Sequence, residues 1–339
     1  MQTIAAVPSK GHREDGFSLP EMLIATALLM AVCGTVMKGV LDVTDVNRMV
    51  SNRTDMHSGV RNATELLTQE IGQAGRISLP GAVTLTAASA MGSTALNVAS
   101  TAQGLAATTG MFVGQNLLLG TGDTQEPVVV SAVSSTAITL SEGLVWDHVA
   151  AEPLVAVGGF REGVIPPAAA GYVNGSTPNV LKIFGDIHDD GRLVYVEYTC
   201  DLANGRLYRN SMAYDGGVKP TPTVEQILID NIEQNPPDPD DGTITPCFTY
   251  QTQTVVGQIY VVDVAVTLTM MSQNSVRNAG DFQRETKALL NVAPRNVFNV
   301  WQLASLGMND HIQPIPPQVT QLLSAYYSTP VEPVEQQVY

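Results

Sequence analysis

Few side chains in this chain of 339 residues stand where catalysis would need them. His12, His57, His148, His188 and His311 are scattered along the sequence. No phosphate-cradling Gly-x-x-x-x-Gly-Lys-Ser/Thr, no Gly-x-Ser-x-Gly and no His-Glu-x-x-His occurs, so neither a nucleotide loop nor a nucleophile elbow nor a zinc-protease helix is supported. No convergent acid–base set can be assembled, and the expectation is a protein that is not an enzyme and holds no cofactor. Two acidic loops, Asp186-Ile187-His188-Asp189-Asp190-Gly191 and Asp238-Pro239-Asp240-Asp241-Gly242, alternate oxygen donors and end in glycine. Asp186, Asp189, Asp190, Asp238, Asp240 and Asp241 would suit Ca²⁺, but both loops lack the closing glutamate of a calcium-binding hand. Solvated turns are the preferred reading, and no metal is expected. Cys200 and Cys247 would pair in an oxidising compartment or remain two reduced thiols. His148 and Trp146 either line a site or pack at a core or rim, with packing preferred.

The most pointed chemistry is a single acid, Glu21. From Phe17 to Met37 it is the only charged side chain, and as a helix that stretch would span ~31 Å, about one bilayer core. A charge at such depth is costly unless paired, which marks it as functional. Residues 1–16 are polar and carry Lys10, His12, Arg13, Glu14 and Asp15. The change from polar to apolar therefore falls before the hydrophobic core, at Gly16-Phe17. An ordinary secretory signal is cut after its core instead. A lipoprotein cut at Cys33 is disfavoured, because Val32 stands where a small residue is needed. Lys10 and Arg13 precede the span and would stay cytoplasmic, so the remainder would be exported.

Gly16-Phe17-Ser18-Leu19-Pro20-Glu21 followed by an apolar helix resembles the signature of type IV prepilins and pseudopilins. The resemblance implies cleavage by prepilin peptidase between Gly16 and Phe17, N-methylation of Phe17, and Glu21 as the fifth residue of the mature chain. It also implies that Glu21 meets the Phe17 amine of a neighbouring subunit or of its own chain, a pair that would select the register of assembly. Pro20 is tolerated there because a first-turn N–H has no intrahelical partner.

The helical pattern continues past the apolar run. Val46, Met49, Arg53, Met56, Val60, Ala63, Leu67, Ile71 and Ala74 recur at steps of three or four, with only Arg53 interrupting the stripe. This spacing predicts an amphipathic helix ending near Gly75, before Pro80. Gly34 and Gly39 are points where it could bend. Short β-branched runs between Gly/Ser/Thr-rich turns follow, among them 83–86, 115–119, 127–130 and 137–140, and they predict strands. Leu193–Cys200 with Gly205–Asn210 reads as a hairpin, 258–270 as a long strand and 282–292 as a last strand. The order Asp230-Asn231-Ile232, Phe248-Thr249-Tyr250, long strand resembles PilW-type minor pilins and, next, J-type pseudopilins of type II secretion. So does the helix end at 61–75.

The expected fold is therefore α+β and pilin-like. Its parts are a leader at 1–16, a membrane-spanning or filament-core helix at 17–41 and an amphipathic continuation at 42–76. An inserted β-rich subdomain follows at 83–157, an antiparallel sheet domain at 158–295, and a partly mobile C-terminal extension at 296–339, extended from Pro314 onward. The expected function is a minor pilin of a type IV pilus, incorporated in or priming the filament. A type II secretion pseudopilin is the first alternative, and a membrane-anchored exported binding protein or enzyme the second. Partners would be other pilins, the prepilin peptidase, the inner-membrane assembly platform and, before assembly, membrane lipid. With a net charge of −15 the surface repels phosphate backbones, and nucleic acid is not expected as a partner. The location would be the inner membrane, single-pass with the C-terminal part exported, and then the filament.

Overall fold

The computed structural model describes residues 18–217, 219, 221–275 and 282–324. The architecture is α+β, with one long N-terminal helix and antiparallel sheets. Helix α1 (Leu19–Gln73) has 55 residues, a rod of ~80 Å. It runs unbroken through Gly34 and Gly39. It ends at Ala74, and the N–H of Gly75 then donates to the Phe184 carbonyl at 2.9 Å.

Burial begins about two turns later than the apolar stripe does. Asn52, Met56, Val60, Ala63, Thr64, Leu67, Glu70 and Ile71 are buried, whereas Val46 and Met49 are exposed. Among the described residues the domain meets α1 along its second half, and the first members of the stripe stay exposed.

Residues 83–156 form a closed barrel. Its strands are β1 (Val83–Leu85), β2 (Ala95–Ser100), β3 (Asn116–Leu119), β4 (Glu126–Val133), β5 (Ala137–Leu140) and β6 (Pro153–Ala156), in the order β1-β2-β5-β4-β3-β6. Alternation holds through most of the strands, with Leu96, Val98, Leu117, Leu119, Val128, Val130, Ile138 and Leu140 pointing inward, and lapses at the end of β4, where Ser131, Ala132 and Val133 are all exposed. Closure of β6 onto β1 (Val83 opposite Leu154) removes the free edges that such short strands would otherwise expose.

After β7 (Gly159–Phe160), two antiparallel sheets pack on α1. The first contains β8 (Val180–Gly185), β9 (Val194–Asp201), β10 (Arg206–Ala213) and β11 (Ile227–Asp230), in the order β11-β10-β9-β8. The second contains β12 (Ile232–Glu233), β13 (Phe248–Val255), β14 (Gln258–Met271) and β15 (Arg284–Val292), with β13 and β15 on β14. Leu181, Ile183, Val196 and Tyr198 from the first sheet meet Leu67 and Ile71 in one core, together with Phe248, Val261, Val264 and Val266 from the second. On β14 the inward parity changes between Val261 and Val264. Thr252 pairs with Val261 but Gln251 with Asp263, so Val262 is an extra residue in a bulge. Val262 stays on the face of Tyr260, and the bulge brings Val264 rather than Asp263 to the inward face.

The expected C-terminal extension is corrected for its first part. Helix α2 (Arg295–Ser305) lays Val297, Val300 and Ala304 against Tyr260 and Val262. Strand β16 (Ile312–Gln313) pairs in parallel with β7. Helix α3 (Pro317–Ser324) buries Val319, Leu322 and Leu323 against Phe184, Leu193 and Tyr195. The reason is that the face of β8 and β9 turned away from α1 carries Phe184 and Tyr195 as well as Lys182 and Glu197, and the chain beyond Pro314 folds back over it. Residues 325–339 lie outside the described residues.

Candidate functional site

No residue between 19 and 51 is buried. This half of α1 is ~50 Å long, and residues 22–37 of it are apolar all round. Leu19, Met22, Leu23, Ile24, Leu28, Leu29, Met30, Val32, Val36 and Met37 are all more than half exposed. A helix apolar on every side belongs in a bilayer or among other apolar helices. It is the one helix among the described residues long and apolar enough to cross a membrane, which is compatible with a single-pass anchor. Its polar groups suit such a setting. The Thr26 hydroxyl donates to the carbonyls of Met22 at 2.9 Å and Leu23 at 3.0 Å, and that of Thr35 to Val32 at 2.8 Å. No hydroxyl in the apolar run then needs water. Lys38, Asp42, Asp45 and Arg48 begin where that run ends.

Glu21 lies in the first turn of α1. Its carboxylate reaches back toward the chain start, with Oε2 3.4 Å from both the N–H and the Oγ of Ser18. Gly16 and Phe17 lie outside the described residues.

The buried half of α1 carries a second acid, which the sequence reading did not single out. Glu70 accepts the Tyr198 hydroxyl at 2.5 Å and the Arg209 Nε–H at 3.1 Å, and Arg209 Nη2 also donates to it. This ion pair fastens α1 to β9 and β10. Burial pushes the Tyr198 phenol up, and the Glu70 charge pushes it further. Burial opposes the charge on Arg209, but the bonds to Glu70 outweigh it and the guanidinium is held above its ordinary value. The partners are 128 and 139 residues away in sequence, and no local pattern announces them.

Cys200, at the end of β9, and Cys247, just before β13, are disulfide-bonded with Cα atoms 6.6 Å apart. The bond joins the first sheet to the second.

The two acidic loops use their carboxylates as turn acceptors. Asp186 is fully buried and takes the N–H groups of Asp190 at 3.0 Å and Gly191 at 3.2 Å, the Ser78 hydroxyl, and Arg76 at 3.9 Å. Asp189 pairs with Arg76. Asp190 accepts the Arg192 N–H at 3.0 Å. Asp238 accepts the Asp240 N–H at 2.8 Å, and Asp241 accepts the Thr243 N–H at 2.9 Å. Among the described residues no group of three or more His, Cys, Asp or Glu side chains is placed to hold a metal ion.

His148 and Trp146 part company. His148 is buried between two carboxylates at one end of the barrel, with Nε2 2.8 Å from Glu126 and Nδ1 2.5 Å from Glu152. Trp146 is about half exposed, at 49%.

Compared with models of known protein families, with curated proteins and with solved structures, the chain matches none.

Proposed function

We propose that this chain is a prepilin-like subunit of a type IV pilus, processed at Gly16–Phe17, held in the inner membrane by residues 17–41 and then packed by the same helix into a filament. One observation carries the reading: no residue of α1 from 19 to 51 is buried among the described residues, and residues 22–37 of it carry no charge. Such a helix is stable in lipid before assembly and among like helices afterward. The arrangement of a long helix whose second half lies against antiparallel sheets agrees with a pilin-like subunit. The barrel at 83–156 and the size of the exported part favour a minor, tip or priming position. The disulfide fits an exported location, where thiols are oxidised.

Glu21 fits the role of register group. Its carboxylate leans toward Ser18, one residue from where a mature Phe17 amine would stand. An unpaired carboxylate among apolar helices is costly, so a subunit enters the bundle in the register that supplies an amine. The proposed partners are other pilins, the prepilin peptidase and the assembly platform.

The test compares Glu21→Ala with the unaltered chain in cells that make the filament. Quantitative immunoblots of membranes and of sheared filaments should find the variant in membranes at normal level but depleted at least tenfold from filaments. Equal incorporation would remove the register role. Absence of the unaltered chain from filaments, with normal recovery in membranes, would favour the anchored exported protein instead.

A further inference from the structure

The segment from Leu144 to Glu152 crosses the end of the barrel without regular structure, yet it is closely held. Ser89 and His148 exchange both backbone hydrogen bonds, at 2.9 and 2.8 Å. Glu126 at the start of β4 takes the N–H of Val145 at 2.8 Å on one oxygen and that of Trp146 at 3.1 Å on the other. Glu152 takes the N–H of Val149 at 3.2 Å. The His148 ring ties these two carboxylates together, and its side chain is fully buried. The β3–β4 turn closes over the ring, where a Cβ on Gly120 would lie 3.0 Å from His148 Cε1.

Proton counting limits the states of this arrangement. A neutral imidazole has one N–H and one lone pair. Here both ring nitrogens face carboxylate oxygens at bonding distance. Two ionised carboxylates accept only, so the ring must donate twice and carry a full positive charge. Removing that proton would set a lone pair against a carboxylate. Adding a proton to Glu126 would put a donor where its oxygens already accept Val145, Trp146 and His148. With both carboxylates ionised, the clasp therefore closes with one proton taken up and the ring as imidazolium. The ionisable groups facing the ring are Glu126 from β4 and Glu152 from the segment entering β6; the 85–93 segment and the β3–β4 turn present backbone to it at Ser89 and Gly120.

We infer that residues 144–152 form a proton-dependent clasp on the barrel, which takes up one proton at His148 on closing and so sets how firmly the exposed side chains of Val145, Trp146 and Val149 are presented. Burial disfavours the His148 charge, but its bonds to Glu152 and Glu126 prevail and raise its pKa above the ordinary 6.5. Glu152, through His148, and Glu126, through the Val145 and Trp146 N–H groups and His148 against the cost of burial, are both held below the ordinary 4.5. A raised histidine contributes fully below its free pKa and is lost as pH rises through the folded one. A lowered carboxylate contributes above its free pKa and is lost as pH falls through the folded one. The clasp is thus tightest between ordinary values of 4.5 and 6.5 and loosens in alkaline medium. This inference does not depend on the assembly reading.

The test uses the full chain in detergent with Trp301→Phe, which leaves Trp146 as the one tryptophan. Amide exchange of 144–152, corrected for the intrinsic rate, and Trp146 fluorescence are followed from pH 5 to 9, with the His148 ring observed by ¹⁵N NMR. Between the ordinary histidine pKa and the raised one, protection should fall by about tenfold per pH unit, and the His148 ring should lose its second proton above the ordinary 6.5. His148→Gln should lose the pH dependence while strands of 180–271 keep theirs unchanged. If that variant does not fold, the NMR arm decides on the unaltered ring. A His148 ring that loses its second proton at or below the ordinary 6.5, or protection of 144–152 that stays flat across the range, overturns the inference.

Discussion

Replacing Glu70 by glutamine tests how α1 is fastened to the exported domain. The substitution keeps the side-chain volume and one acceptor for the Tyr198 hydroxyl, and it removes the charge opposite Arg209. Taking away one partner of a buried ion pair costs ~3–5 kcal/mol, because the other charge is left buried alone. Arg209 keeps 23% of its side chain exposed, so water relieves part of that cost, and the lower end, ~3 kcal/mol, applies. The assay is urea unfolding of the full chain in detergent with the disulfide intact, followed by circular dichroism. A paired Arg209→Met change should restore most of the loss, since an apolar residue leaves no orphan charge, giving a coupling of at least ~2 kcal/mol in the double-mutant cycle. A loss under ~0.5 kcal/mol for Glu70→Gln, or a coupling near zero, would refute the view that this pair fastens the helix.

Other predictions follow from single features. Leu67→Ala removes a fully buried side chain shared by α1 and both sheets and should cost ~2–5 kcal/mol in the same unfolding assay. Replacing Cys200 and Cys247 by serine opens a link between residues 47 apart; chain entropy puts the loss near ~4 kcal/mol, measurable as the difference between oxidised and variant chains. Gly158 has φ of +68°, and a Cβ there would sit 1.6 Å from the His311 carbonyl oxygen. Gly158→Ala should therefore unseat β16 from β7, seen as faster amide exchange at Ile312 and Gln313 with the barrel strands unchanged.

Much of the fold was legible because it repeats locally. The three-and-four spacing from Met56 to Ala74 gave the helix, and alternation in 193–200 and 205–210 gave the hairpin that pairs Cys200 with Leu207. What stayed hidden depends on distant partners. Nothing near Glu70 indicates Arg209, and nothing near Glu126 indicates His148. The stripe was read about two helical turns too far, since Val46 and Met49 have the spacing of a packed face but stay exposed. The tail was misread for the opposite reason. Prolines at 314, 316 and 317 suggested an extended chain, while Val319, Leu322 and Leu323 held a helical face. That face is needed because the side of β8 and β9 away from α1 carries Phe184 and Tyr195, which something must cover. Of the proposed assembly site, the apolar run and Glu21 were plain in the sequence; that the run stands clear of the domain is a tertiary fact.

The most direct measurement is intact mass and N-terminal sequencing of the membrane-extracted chain, made with and without prepilin peptidase. The account predicts a mature chain beginning at N-methylated Phe17 only when the peptidase is present. A chain left uncut with the peptidase present, or cut beyond Met37, would contradict it.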